Sequence, residues 1–293
     1  SRAAEKLDYN TNGAGQNTIV GAWAARGDNG DFSGGYNTIM GSYAMYSNAL
    51  TTASYNVAIG HKTLSGATSL SSNTAVGYKA AMFASTASYS TFLGHKAGYN
   101  TTTSTENTYV GYHSGFTNTG NYNVFMGNGA AEFATGVGSS VFIGRQAAGA
   151  AAATGDDNVG IGYRSMYDLT TGLENVAVGH FSLPNVTSGS NNVAIGRNSM
   201  NSAAGTHRNT ALGHGVLYAF TAAGESKNTA VGMNSMYAIT AGTFNTAVGY
   251  ESMRGNSGVT PTGNTAVGYQ ALRGATAASS TANFNNVAIG MRA

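Results

Sequence analysis

The sequence predicts an all-β chain wound as a parallel β-solenoid, a β-roll of about 16 coils with 17-residue repeats, assembled as a homotrimeric rod. Three observations predict it. One five-residue phrase recurs along nearly the whole chain, each column of that phrase admits a narrow class of side chain, and two positions per repeat trade volume against each other.

Residues 1–16 form an N-terminal lead-in, and 17–293 form the repeat domain. The phrase reads Asn or Ser, Thr or Val, a variable residue, an aliphatic, then Gly. Examples run from Asn73 to Gly77, from Asn192 to Gly196 and from Asn264 to Gly268. Its sixteen closing glycines stand at 21, 41, 60, 77, 94, 111, 127, 144, 162, 179, 196, 213, 232, 249, 268 and 290, with 17 the commonest interval. Helical-hairpin repeats need ~33 residues or more. An interval of 17 suits one solenoid coil of two or three strands, each of about five residues. With ~4.8 Å between rungs, the whole stack spans about 70 Å.

The first position is Asn in fourteen coils and Ser in two (Ser90 and Ser140), which predicts a ladder of side-chain amides. The second is Thr or Val, isosteric and β-branched, so shape and strand propensity set it. The fourth is always Val, Ile, Leu or Met. The fifth is always Gly, as expected where φ is positive or the backbone passes close to a neighbour.

A weaker phrase follows each Gly: two variable residues, a small one, then often Leu or Met, as in Tyr163–Met166 and Tyr269–Leu272. Coils with Phe92, Tyr109, Phe125 and Phe142 at the third position of the first phrase carry Gly98, Gly115, Ala131 and Ala148 here. Coils with Ala177, Ala194, Ala211, Ala230, Ala247 and Ala266 carry Leu183, Met200, Leu217, Met236, Met253 and Leu272. Two positions filling one close-packed space show this trade. Ala75 with Ala81 departs from it. The third and fourth positions point to opposite faces of the strand. One face fills the coil's interior, and the other is expected to be buried against further copies in a closed trimer.

Composition narrows the function. Charged residues make up 9%, against roughly 25% in an ordinary domain, and the net charge of +2 offers no broad field for nucleic acid or anionic membrane. No cysteine is present, so disulfides, thiolate metal sites and cysteine nucleophiles are excluded. No run reaches the ~18 apolar residues of a membrane span, and Ser1–Lys6 is not followed by the apolar stretch of a signal peptide. Regular apolar positions and 10% aromatics set the chain apart from disordered sequences. Two prolines and no Gly-X-Y period set it apart from collagen. No Gly-x-Ser-x-Gly elbow, phosphate loop or His-Glu-x-x-His motif occurs, so neither an enzyme nor a cofactor is expected.

Asn-Val-Ala-Ile-Gly at 56–60, 192–196 and 286–290 resembles the head repeats of trimeric autotransporter adhesins. Asn-Thr-Ala-Val-Gly-Tyr-Gln-Ala-Leu at 264–272 is similar to repeats of bacteriophage tail fibres and related modular surface fibres. The first resemblance implies a trimeric left-handed parallel β-roll. The second implies a virion appendage, often with a C-terminal chaperone removed after trimerisation. Both cover residues 17 to about 290, although the adhesin repeat is the shorter.

Among chemistry-bearing residues, Lys62, Lys79 and Lys96 hold one place in three successive coils and are followed there by His113. His61, Tyr78, His95 and Tyr112 stand immediately before them. This pattern points to a basic, aromatic-lined strip for an acidic glycan, against the alternative of lysines splayed in solvent. His61, His95, His180 and His214 directly follow motif glycines, where a threefold axis could gather three copies around a metal. Without any His-x-His pair, and with Tyr exchanging at that place, no metal site is expected. Asp156, Asp157 and Asp168 could meet across a coil or between chains as depolymerase-type carboxylates, but solvated corners are the simpler reading. Arg26-Gly27-Asp28 spells an integrin tripeptide and Asp28–Asp31 resembles a calcium loop, but both read first as turns. The long corners at Ala22–Tyr36, Gly255–Gly263 and Gly274–Asn283 suit recognition. An ice-binding face is disfavoured because Thr exchanges with Val and alternates with an aliphatic read as buried.

The expected function is that of a non-enzymatic, extracellular trimeric fibre on a virion that attaches to a host-surface glycan or protein receptor. Its expected partners are its own copies, that receptor, and other fibre or baseplate proteins. A bacterial cell-surface adhesin head is the alternative.

Overall fold

A computed structural model of the chain describes residues 15–26, 34–47, 52–255, 260–274 and 285–293. The chain divides into two compact units, Ser1–Ser140 and Val141–Ala293. Most of the lead-in, the Gly27–Asp31 part of the tripeptide and calcium-loop readings, and much of the three long corners lie outside the described residues. Among the described residues there is no helix.

The first unit holds β1 (Thr18–Val20), β2 (Thr38–Met40), β3 (Val57–Ile59), β4 (Thr74–Val76), β5 (Thr91–Leu93), β6 (Thr108–Val110) and β7 (Val124–Met126). Each pairs parallel and in register with the next, for example Thr74 with Thr91 and Ala75 with Phe92. The second unit holds β8 (Val141–Ile143), β9 (Val159–Ile161), β10 (Val176–Val178), β11 (Val193–Ile195), β13 (Thr210–Leu212), β15 (Thr229–Val231), β16 (Thr246–Val248), β17 (Thr265–Val267) and β18 (Val287–Ile289) in one parallel ladder. Two further strands, β12 (Thr206–His207) and β14 (Gly224–Glu225), pair with each other. Each unit is therefore a parallel β-solenoid with one strand of the repeated phrase per coil.

The coil differs from the expected two or three five-residue strands. It has one three-residue strand of the repeated phrase, joined by a second, two-residue strand only at β12 and β14, and turns occupy most of the remainder. The cause is a recurrent left-handed backbone. Residues just before the Asn position (Tyr55, Ser72, Tyr89), two after the motif Gly (Lys62, Lys79, Lys96) and four after it (Leu64, Ala81, Met166) all have φ between +47° and +62°. No Val, Ile or Thr has positive φ among the described residues, as branching at Cβ requires. Coils still hydrogen-bond through these turns: Lys79 N–H donates to His61 O at 2.9 Å and Ala81 N–H to Ala97 O at 2.8 Å.

The predicted ladders form. The Asn73 backbone N–H reaches Asn56 Oδ1 at 3.0 Å, and its amide donates to Ala87 O at 2.8 Å. Asn192 donates to Asn175 Oδ1 at 3.0 Å and to Thr206 O at 2.7 Å, and Asn264 reaches Asn245 Oδ1 at 3.3 Å. Ser90 continues the column by offering Oγ to Asn107 N–H at 3.1 Å. Gly77, Gly196 and Gly268 have φ of +139°, +128° and +134°, and a Cβ on any of them would lie 2.3 Å from the next motif glycine's carbonyl oxygen. Both reasons offered for this glycine therefore hold together.

The volume trade is also physical. A Cβ on Gly98 would sit 2.3 Å from Phe92 Cδ1, and one on Gly115 would sit 2.6 Å from Tyr109 Cδ2. Phe92, Tyr109 and Phe125 are fully buried, as are Ala177, Leu183, Ala194 and Met200 in the second unit. Nothing in the structure explains the small pair Ala75 and Ala81. Leu70, Leu169, Val186, Phe220 and Ile239 add further buried columns beyond the second phrase. The fourth-position aliphatic, read above as buried, instead faces outward beside the Thr/Val position. Leu93 is 46% exposed and Leu212 44%, while the third-position side chain between them and the Thr fills the interior.

Candidate functional site

After each motif glycine the chain makes two left-handed turns around a small buried residue (Thr63, Ala80, Ala97, Ser114). The two residues between glycine and that anchor are turned outward, one above another from coil to coil. All eight predicted strip residues meet there, within the first unit. The rings of His61 and Tyr78 lie 5.5 Å apart, those of Tyr78 and His95 5.1 Å, and those of His95 and Tyr112 5.1 Å, with interplanar angles of 10°, 22° and 13°. The His113 ring closes the strip against Tyr112 at 3.9 Å. His61, Tyr78, His95 and Tyr112 are exposed; Lys62, Lys79, Lys96 and His113 are half-buried.

The lysines do not splay into solvent. Lys79 Nζ stands 5.2 Å from the Tyr78 ring centre, Lys62 Nζ 5.7 Å from Tyr43, and Lys96 Nζ 5.6 Å from Tyr99. Such cation–π contacts are worth ~0.5–1 kcal/mol at exposed sites and hold the three like charges over different rings. Among the described residues no carboxylate pairs with any of the three. Partial desolvation of its ring, then the charges of Lys96 and His113, lowers the His95 pKa below its ordinary value; a backbone hydrogen bond opposes this, and Lys79 adds the smallest contribution. His113 differs: its Nδ1 meets Glu132 Oε1 at 2.8 Å.

Sequence reading missed the strip's flanks. Tyr99 and Phe116 stack at 4.9 Å and 3°, and Phe116 meets His113 at 4.7 Å. Trp23 and Tyr43 extend the stack at its other end, with Arg26 over Trp23 at 4.0 Å. Tyr99 and Phe116 share the fifth place after motif glycines, a signal visible in the repeat alignment. Beside Lys62 lies an open, mainly apolar recess of about 290 Å³ walled by Tyr43, Tyr46, Met82 and Phe83.

The second unit repeats the theme sparsely: Tyr163 and His180 approach to 5.2 Å, with Arg164 over Tyr163 and Tyr167. Further along, Glu251 is buried between Arg254 (2.5 Å), Arg273 (3.1 Å) and the Gln270 amide (2.9 Å). Burial raises the Asp168 pKa, only partly opposed by Arg164. Among the described residues no group of three or more His, Cys, Asp or Glu is placed to hold a metal ion, and no helix is long and apolar enough to cross a membrane. Comparison with known protein families, with curated proteins and with solved structures finds no match.

Proposed function

We propose that this chain is a structural and adhesive fibre subunit: it self-associates as a homotrimeric rod, extends from a virion and attaches to a receptor on a host surface. One observation carries the reading. In each unit the second and fourth strand positions form an outward face whose fourth column is aliphatic in every coil, exemplified by Met40, Leu93, Met126, Ile195, Leu212 and Val248. No charged residue interrupts that column. Soluble monomers rarely leave contiguous apolar patches beyond a few hundred Å² exposed. A repeating, uncharged face is best covered by the same face of further copies around a closed axis. The resemblance of Asn264–Leu272 to tail-fibre repeats favours the virion over the bacterial adhesin head, which stays the second reading.

Light scattering on the purified chain tests self-association. A stable species near three times 29.7 kDa is expected. Replacing Leu93 and Leu212 with lysine should dissociate it while circular dichroism stays unchanged. A well-folded wild-type monomer would overturn the fibre reading. The outward Thr/Val and aliphatic face would then be tested for ice binding by thermal hysteresis.

A further inference from the structure

We infer that the His61–His113 strip binds a linear polyanionic glycan lying along the stacking direction of the coils, with its acidic groups on Lys62, Lys79 and Lys96. The inference names the receptor class for the attachment reading above and rests on it. Three features of the strip point to this ligand.

The first is unbalanced charge. Three ammonium groups stand in successive coils, none facing a carboxylate among the described residues, and the one acid at the strip, Glu132, is engaged by His113. The second is spacing. Lysine positions on the backbone recur once per coil, at ~4.8 Å, and the exposed His–Tyr–His–Tyr series repeats every second coil, while the long side chains carry the ammonium groups to the Tyr43, Tyr78 and Tyr99 rings. A pyranose in an extended chain advances about one coil step. A polymer with one acid per sugar therefore stays in step with the lysines and one with an acid per disaccharide meets every second lysine, whereas a compact ligand would engage only one or two neighbours.

The third feature is ring orientation, which separates a glycan from a single-stranded nucleic acid. Nucleic-acid strips offer free aromatic faces on which bases stack. Here His61, Tyr78, His95 and Tyr112 lie nearly parallel at 5.1–5.5 Å, so each ring covers its neighbour's face. What remains exposed is a row of ring edges, with tyrosine hydroxyls and imidazole nitrogens alternating beside the ammonium groups. These are hydrogen-bonding and charged groups matched to sugar hydroxyls and to carboxylates or sulfates.

The test measures binding of the full chain by calorimetry to heparin-derived tetra- and octasaccharides, to dextran oligomers of equal length and to oligo-dT. The expected result is binding of heparin oligosaccharides, tighter for the octasaccharide, and weakening roughly tenfold or more between low and physiological salt as counterions at three contacts are exchanged. The variant Lys62→Gln/Lys79→Gln/Lys96→Gln, which keeps most of each stem against its ring, should lose most of that binding with its thermal midpoint nearly unchanged. Lys79→Glu alone should lose a large part of it. Absence of heparin binding, equal binding of dextran, tighter binding of oligo-dT, or undiminished binding by the triple variant would each overturn the inference. Light scattering on the same samples keeps the two readings apart: a trimer that ignores polyanions sinks the strip and leaves the fibre standing.

Discussion

Replacing Gly77 with alanine should cost far more than replacing a glycine of positive φ that has open space beside it. A Cβ at Gly77 would lie 2.3 Å from the Gly94 carbonyl oxygen and 2.7 Å from its carbon, roughly 1 Å short of ordinary contact. The obstacle is backbone and cannot swing aside. If the two coils part by that distance, the bonds from Gly94 N–H to Val76 O (2.8 Å) and from Lys96 N–H to Tyr78 O (2.9 Å) stretch out of range. Two backbone hydrogen bonds at ~1 kcal/mol each, added to ~1–3 kcal/mol for holding alanine in a glycine-only conformation, give about 3–5 kcal/mol. Gly224 is the control. It has φ +90° and nothing within 4 Å of an added Cβ, so alanine there costs only about 1–2 kcal/mol of backbone strain. Guanidinium unfolding gives both totals, and hydrogen exchange at the Lys79 and Lys96 amides reports whether the loss is seated between those coils. Equal losses at the two sites would refute coil-to-coil contact as the reason for the invariant glycine.

The core trade should be reversible by exchange. Phe92→Ala alone costs about 3–5 kcal/mol, and adding Gly98→Leu should recover more than half of it, because Leu183 already occupies the equivalent place at φ +46°. Denaturant midpoints of the double-mutant cycle check this, and purely additive losses would refute the shared space. At the exposed left-handed position Ser72 (φ +58°), valine should destabilise by about 1–2 kcal/mol and glycine by nothing measurable, read from the thermal midpoint. Glu251 makes the far end of the second unit acid-sensitive. Burial alone would raise its pKa, but the Gln270 amide and the Arg254 and Arg273 guanidiniums outweigh this and hold it below the ordinary 4.5. Its contribution is therefore complete above about 4.5 and lost as pH falls through the lowered value. Exchange at the Glu251 and Gln270 amides should accelerate there, and Glu251→Gln should flatten that response.

Much of this was readable in the sequence wherever a column is filled by one kind of residue. The Asn ladder, the motif glycines and the Phe92–Gly98 exchange all announce themselves through what the column contains. The left-handed turns announce themselves through what it excludes: Val, Ile and Thr are abundant in the chain yet absent from the positive-φ places, and this signal is easily overlooked. Which strand face is inner could not come from alternation, since a period of two separates faces without orienting them. The packing of Phe92 against Gly98 decides it, and the aliphatic Leu93 is thereby turned outward. The strip was legible because its residues adjoin invariant glycines. Its flanks show in the sequence only as a shared fifth place after those glycines; that Tyr99 and Phe116 come round to the strip is set by the left-handed turns at Gly98 (φ +60°) and Gly115 (φ +57°).

The Asn column also determines how this chain can change length. Asn286 donates to Asn264 Oδ1 at 2.9 Å across 22 residues, the same bond Asn73 makes to Asn56 at 3.1 Å across 17. From the Asn or Ser position to the motif glycine the count is the same in all sixteen coils, so every addition or deletion falls between one motif glycine and the next Asn or Ser. Evolution can lengthen that stretch in one coil without disturbing the coils above and below. The same stretch is where a foreign peptide could be grafted, displayed at chosen intervals along a unit whose rungs keep their register.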